Sequence, residues 1–346
     1  MDFHAINAQA ASTRLQLAHN QNASAFRGES MNELLGRLSE QAAFINSEVI
    51  PWVLRLVMIG LGLSLTLADF KRVIVFPKAA TIGLVAQLVG LPLVAFVLAF
   101  LFRPPAAIAI GLVIVAACPS GVTSNAYSFA ARADVPLCVT LSAITSVVTV
   151  FTIPFLINLA MTTFANETQA VTLPVFNMLR DLIGYTLVPL ALGMLIRAVF
   201  TAHAQKAIEP IRKSVLWLMI AVLVLGVVSS YREVIEHFAT AGALVLAMNL
   251  VTMTLGFGLA RAFRLPIRQT VTITFEVGVQ NLALSFAITF AILARPDLAV
   301  AGLLYAVVMP ATALAFVSIG RRLIETQAPL EDAAPRPRAA AEAVES

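Results

Sequence analysis

Phe275-Glu276-Val277-Gly278-Val279-Gln280-Asn281 lies inside an apolar run over 269–293. About 20 apolar residues is the length that spans a bilayer as a helix. This run carries a carboxylate, a glycine and two side-chain amides at the depth of the lipid. Gly278 lets the helix open. An ionisable group at membrane depth is costly, and is functional by default. Non-helical backbone at that depth is tolerated only where it lines a cavity. The stretch therefore predicts a broken helix with a site at the break.

The surrounding chain fits that reading. Its 346 residues are 59% hydrophobic and 12% charged, with mean hydropathy +0.89. A soluble domain carries about 25% charge. The apolar runs are continuous rather than alternating, which favours helices over a barrel. Nine spans are expected, at 50–69, 79–102, 106–132, 135–161, 174–200, 214–231, 240–262, 269–293 and 298–320. The fold class is an all-α polytopic membrane protein. Residues 1–49 read as a polar tail with no apolar signal segment, 50–322 as the transmembrane domain, and 323–346 as a disordered tail.

The net charge is +4 and the pI about 9.4. The basic residues sit in short loops between spans, so they act as topology signals and not as a nucleic-acid surface. With the N-terminus outside, the inner loops hold Lys71, Arg72, Lys78 and Arg132, then Arg197, Lys206, Arg212 and Lys213, then Arg261, Arg264 and Arg268, then Arg321 and Arg322. The outer loops hold Arg103, Arg232 and Arg295. This bias predicts a multi-pass protein of a cell (inner or plasma) membrane, with a cytoplasmic C-terminus, the lipid bilayer as partner and no nucleic acid. Cys118 and Cys138 lie in apolar segments with no histidine near them, so neither a disulfide framework nor a zinc site is expected. Asn22-Ala23-Ser24 and Asn166-Glu167-Thr168 are formal glycosylation sequons of little weight.

A second interruption, Cys118-Pro119-Ser120-Gly121-Val122-Thr123-Ser124-Asn125, falls inside 106–132. Pro119 removes a backbone donor and clashes with the preceding turn. The breaks occupy the third and eighth spans. Taken as halves 50–161 and 174–322, with an opening helix missing from the first, they sit at one place in a five-helix repeat of opposite orientation. Inverted repeats with paired broken helices are a secondary-transporter architecture. For either break alone, an ordinary kink is the alternative.

At these residues the chain resembles the bile acid:sodium symporter (BASS) family, in its nine-helix form. The matching stretches are the two breaks and Asp69-Phe70-Lys71 leading to Gln87 and Pro92. The resemblance covers about 50–322. It implies a panel domain and a core domain, with the broken helices crossing in the core. It also implies one sodium site of Glu276, Ser124, Asn125 and Ser142, where Cys138 stands at a position often serine in the family. A second site would use Glu276, Gln280, Gln87 and the carbonyls of Val277 and Val279. Met309 and Pro310 stand where some members have a His-Asn pair against the substrate.

The residues themselves allow that chemistry. Glu276 needs a cation, and no lysine or arginine shares its helix core. Hard cations such as sodium take oxygen ligands. A protonated, hydrogen-bonded glutamic acid of structural role is the alternative. Helix N-termini freed at the breaks suit an anion, with Thr123, Asn125 and Asn281 lining its site. For Gln87 alone, an interhelical hydrogen bond is the simpler reading. The expected function is sodium-coupled symport of a small organic anion by alternating access, with Na⁺ as coupling ion. A proton-coupled or uniport carrier of the same fold is the alternative. An enzyme is not expected, because His4, His19, His203 and His237 all lie in tails or loops and no catalytic spacing lies in the spans.

Overall fold

A computed structural model describes residues 49–75, 77–165, 174–200 and 231–333, together with residues 217, 220 and 224. The 1–49 segment apart from Val49, both sequons and most of the 214–231 span lie outside the described residues. The helices are α1 (Ile50–Ser64), α2 (Leu67–Val75), α3 (Pro77–Phe102), α4 (Ala106–Ala117), α5 (Val122–Ala130) and α6 (Val135–Phe164). Then follow α7 (Val175–Val199), α8 (Tyr231–Ala262), α9 (Ile267–Gly278), α10 (Leu282–Ile292) and α11 (Val300–Ala333). Five of them, α3, α6, α7, the Phe238–Ala262 part of α8 and Pro296–Pro329, are long and apolar enough to cross a membrane.

Both expected breaks are present. The first interrupted span is α4 and α5, separated by Cys118–Gly121 in extended backbone. The second is α9 and α10, separated by Val279–Asn281.

Three boundaries differ from the sequence reading. The 50–69 span stops at Ser64. Thr66 starts a new helix, and its backbone N–H and hydroxyl both donate to Asp69, each at 2.7 Å. That is the carboxylate half of a capping box, and it restarts the chain as the separate, amphipathic α2. The expected loop between 231 and 240 is instead the first turns of α8. The last helix continues to Ala333, past the 323 boundary given to the tail. Residues Leu323–Ala328 are strong helix formers apart from Thr326, and Arg321 bonds Glu325 one turn on at 3.1 Å.

Two helix groupings organise the described spans. One is α1 against α7. Gly62 and Gly193 meet there, and a Cβ on Gly62 would lie 2.1 Å from the Leu190 carbonyl oxygen. Small residues let membrane helices approach this closely. Arg55 of α1 stacks its guanidinium on Trp52 and on Tyr185 of α7, at 4.6 and 4.8 Å from the ring centroids. The other grouping is α3 to α6 and α8 to α11, around the two breaks.

Gly62→Ala or Gly193→Ala forces the α1–α7 backbones apart, and an expected loss of about 1–3 kcal/mol follows. Gly184→Ala, where a Cβ meets nothing within 4 Å, is the matched control with little effect. Thermal unfolding of the purified protein in detergent checks the difference.

Candidate functional site

The two breaks pair with each other. Ser120 and Gln280 form an antiparallel bridge, isolated among the described residues. The Asn281 N–H donates to the Pro119 carbonyl at 2.9 Å, and the Gly121 N–H to the Val279 carbonyl at 3.4 Å. Backbone groups released from the helices thus find partners in the facing break, as membrane depth requires. Gly121 permits the approach, because a Cβ there would lie 3.3 Å from the Gln280 carbonyl oxygen. The ends of four helices converge at the crossing. The starts of α5 and α10 bring partial positive charge, and the ends of α4 and α9 bring partial negative charge.

The remaining free groups are held by side chains from α8 and α11. The Gly278 carbonyl accepts from Asn249 Nδ2 at 2.8 Å and from the Tyr305 hydroxyl at 2.9 Å. Asn249 Nδ2 also reaches the Tyr305 hydroxyl at 2.9 Å, and Thr312 donates to Asn249 Oδ1 at 2.6 Å. The Gln280 N–H faces the Met309 thioether at 3.3 Å. Met309, where some family members carry a substrate-contacting pair, therefore lies against the break.

One side of the crossing is a box of hydroxyls. Glu276 is 0% exposed. Its Oε1 accepts from Ser120 and from Ser142, the latter at 2.9 Å. Its Oε2 has Ser142 at 3.1 Å, Ser124 at 3.2 Å and the Cys138 thiol at 3.2 Å. No cationic side chain is among these partners. Ser124 Oγ also lies 2.8 Å from the Gly121 carbonyl, so one hydroxyl proton serves two acceptors. Each serine oxygen retains lone pairs that can face a cation.

The other side is a pair of carboxamides. Gln87 lies in a π-helical turn of α3, Ala86–Gly90, a feature common at functional sites. Its Nε2 donates to the Cys118 carbonyl at 3.3 Å and to Gln280 Oε1 at 3.0 Å, so it bonds to both breaks. Gln280 Nε2 donates to the Val277 carbonyl at 2.7 Å. Among the described residues two buried side-chain oxygens, Gln87 Oε1 and Asn125 Oδ1, accept no hydrogen bond.

Residues 51–241 match the model of the sodium bile acid symporter family. The chain belongs to that family. The match takes in the first break. A similar protein, the uncharacterized sodium-dependent transporter YocS of Bacillus subtilis, is 32% identical over 248 residues, 71% of this chain and 74% of that one. A probable chloroplastic sodium/metabolite cotransporter of Arabidopsis thaliana is 27% identical over 67% of this chain and 56% of its own length. The sodium/bile acid cotransporter 4 of mouse is 27% identical over 67% of this chain and 53% of its own. The chain is a multi-pass membrane protein of a transporter family and not an enzyme.

Of the expected site residues, Ser124 and Ser142 meet Glu276, and Gln87 meets Gln280. The hydrogen bonds of Glu276 all run to the hydroxyl side and none to the glutamines. The Val277 and Val279 carbonyls each already accept one internal donor. Asn125 is half-buried and Thr123 exposed. Asn281 is buried, and its Oδ1 caps α10 by accepting from Leu284 N at 3.1 Å. Ser120 was not among the expected site residues. Its signal was available, because extended backbone between Pro119 and Gly121 turns alternate side chains to opposite faces.

Asn249→Leu strips the Gly278 carbonyl of one partner, removes a partner of the Tyr305 hydroxyl, and leaves Thr312 only the Val308 and Met309 carbonyls of its own helix. The expected loss is about 1–3 kcal/mol. Tyr305→Phe costs less, since Asn249 still holds that carbonyl. Denaturant unfolding of the two variants orders them.

Proposed function

We propose that this protein is a sodium-coupled symporter of a small organic anion, working by alternating access. The observation that carries the reading is the pair of buried oxygens without donors, Gln87 Oε1 and Asn125 Oδ1. A buried acceptor without a donor is costly, and a hard cation satisfies it as a proton donor would. The names of the relatives agree, since all three cited here are sodium-dependent transporters or sodium cotransporters.

Sodium is read as a co-substrate with two candidate sites. Glu276, Ser124, Asn125 and Ser142 make up the first, with Ser120 added beside Glu276. Glu276, Gln87, Gln280 and the carbonyls of Val277 and Val279 make up the second. The Cys138 thiol is the weakest donor of the first set, because sodium prefers oxygen to sulfur. Thr123, Asn125, Asn281 and the starts of α5 and α10 offer the polar groups for the anion. Neutralising Glu276 removes the like charge that would repel the anion, so each ligand tightens the other.

The two breaks run antiparallel, which agrees with halves 50–161 and 174–322 being inverted repeats. The grouping around the crossing would then move against α1 and α7 as core against panel. The same reading puts the protein in the inner or plasma membrane with its C-terminus in the cytoplasm.

The test needs no knowledge of the substrate. Thermal unfolding is followed in sodium against potassium at equal ionic strength. Saturating sodium, at about 100 times its Kd, adds roughly 2.7 kcal/mol to the wild type. Glu276→Gln loses that increment, and Gln87→Leu loses part of it. Equal melts in both salts would reject sodium coupling. Uptake driven by a pH gradient alone would then identify the proton-coupled alternative.

A further inference from the structure

Away from the crossing, one end of the core grouping carries a cavity of about 400 Å³ lined by Phe129, Ala133, Val135 and the arginines Arg132, Arg268 and Arg321. The lining comes from α5, α6, α9, α11 and the turn between α5 and α6. It includes no residue of α1 or α7. The cavity is therefore not the crevice between the two groupings, where a transported anion would pass.

Its charge is unbalanced. Arg132 and Arg321 share one carboxylate, Glu325, at 3.4 and 3.1 Å. Arg268 donates to the Arg132 carbonyl at 2.9 Å and has no carboxylate partner among the described residues. Asp134, two residues after Arg132, caps α6 by accepting from Leu137 N at 3.1 Å. Two of the three guanidiniums thus share one carboxylate and the third has none among the described residues, and guanidiniums bind phosphate bidentately. The rest of the lining is apolar. Phe129 is 76% exposed at the end of a membrane helix. A free inorganic anion has no use for that half of the cavity. A phospholipid presents a phosphate with glycerol and acyl carbons beside it.

We propose that this cavity binds the headgroup of an anionic phospholipid. The bound lipid bridges α5, α9 and α11, which are one arm of each interrupted span and the last helix. It steadies the crossing from one end, independently of sodium.

The full chain is reconstituted in nanodiscs of phosphatidylcholine with a graded fraction of phosphatidylglycerol, and its thermal unfolding is followed. Phosphatidylglycerol raises the melting temperature of the wild type. Arg268→Gln with Arg321→Gln shifts the fraction needed for half the effect upward by at least about tenfold. Arg268→Lys with Arg321→Lys keeps most of the effect, and Glu325→Gln lowers the fraction needed. The sodium-dependent increment stays in all of them, which separates this site from the crossing. Three results would overturn the proposal. Phosphatidylglycerol and phosphatidylcholine act alike on the wild type. The glutamine pair responds as the wild type does. Inorganic phosphate in detergent gives the same arginine-dependent shift, which marks a soluble-anion site instead. Should the glutamine pair fail to fold, an unchanged response in Glu325→Gln rejects the idea by itself.

Discussion

Two interrupted helices close each other's backbone. Inside a bilayer an unpaired N–H or carbonyl has no water to turn to, so neither break could persist alone. The exchange between 119–121 and 279–281 meets that demand with two hydrogen bonds, which together make the antiparallel bridge of Ser120 and Gln280. Everything else at the site is arranged around this short exchange. Asn249, Tyr305 and Met309 take the groups it leaves over, and Gln87 reaches in from a π-helical turn to bond to both sides.

The crossing also sorts polar chemistry to its two sides. Hydroxyls and a thiol gather on the Glu276 carboxylate, and carboxamides and carbonyls gather around Gln280. The sides differ in donor hardness. The hydroxyl box puts the Cys138 thiol directly on the carboxylate, and the carboxamide side offers the oxygens of Gln87, Gln280 and the Val277 carbonyl. That asymmetry follows from a single thiol on α6.

Much of this was legible in the sequence, for physical reasons. Pro119 and Gly278 mark helix interruption by steric and conformational rules that need no tertiary knowledge. A carboxylate at membrane depth with no basic residue in the core of its helix announces a site. The Thr66-x-x-Asp69 capping box was equally readable, and it explains why the span expected over 50–69 is two helices. The rest depended on which distant helix faces which break. Asn249 and Tyr305 are ordinary polar residues in apolar runs, and only the fold brings them to Gly278. Ser120 lay in plain view within the quoted break, but its bond to Glu276 joins positions 156 residues apart. The run of α11 to Ala333 was obscured by Pro329 and the alanine-rich composition that follows it.

That long separation bears on how the molecule is made. Chains grow at about 5–20 residues per second, so the first break enters the membrane roughly 8–30 s before its partner exists. Over that interval the open groups of Cys118–Gly121 must be covered by something other than 279–281. Water drawn in around the unfinished bundle, the insertion machinery or a temporary unbroken helix could each serve. Assembly of the crossing is thus a late, long-range event, and any chain truncated before residue 279 is left with an interrupted helix that has nothing to close it.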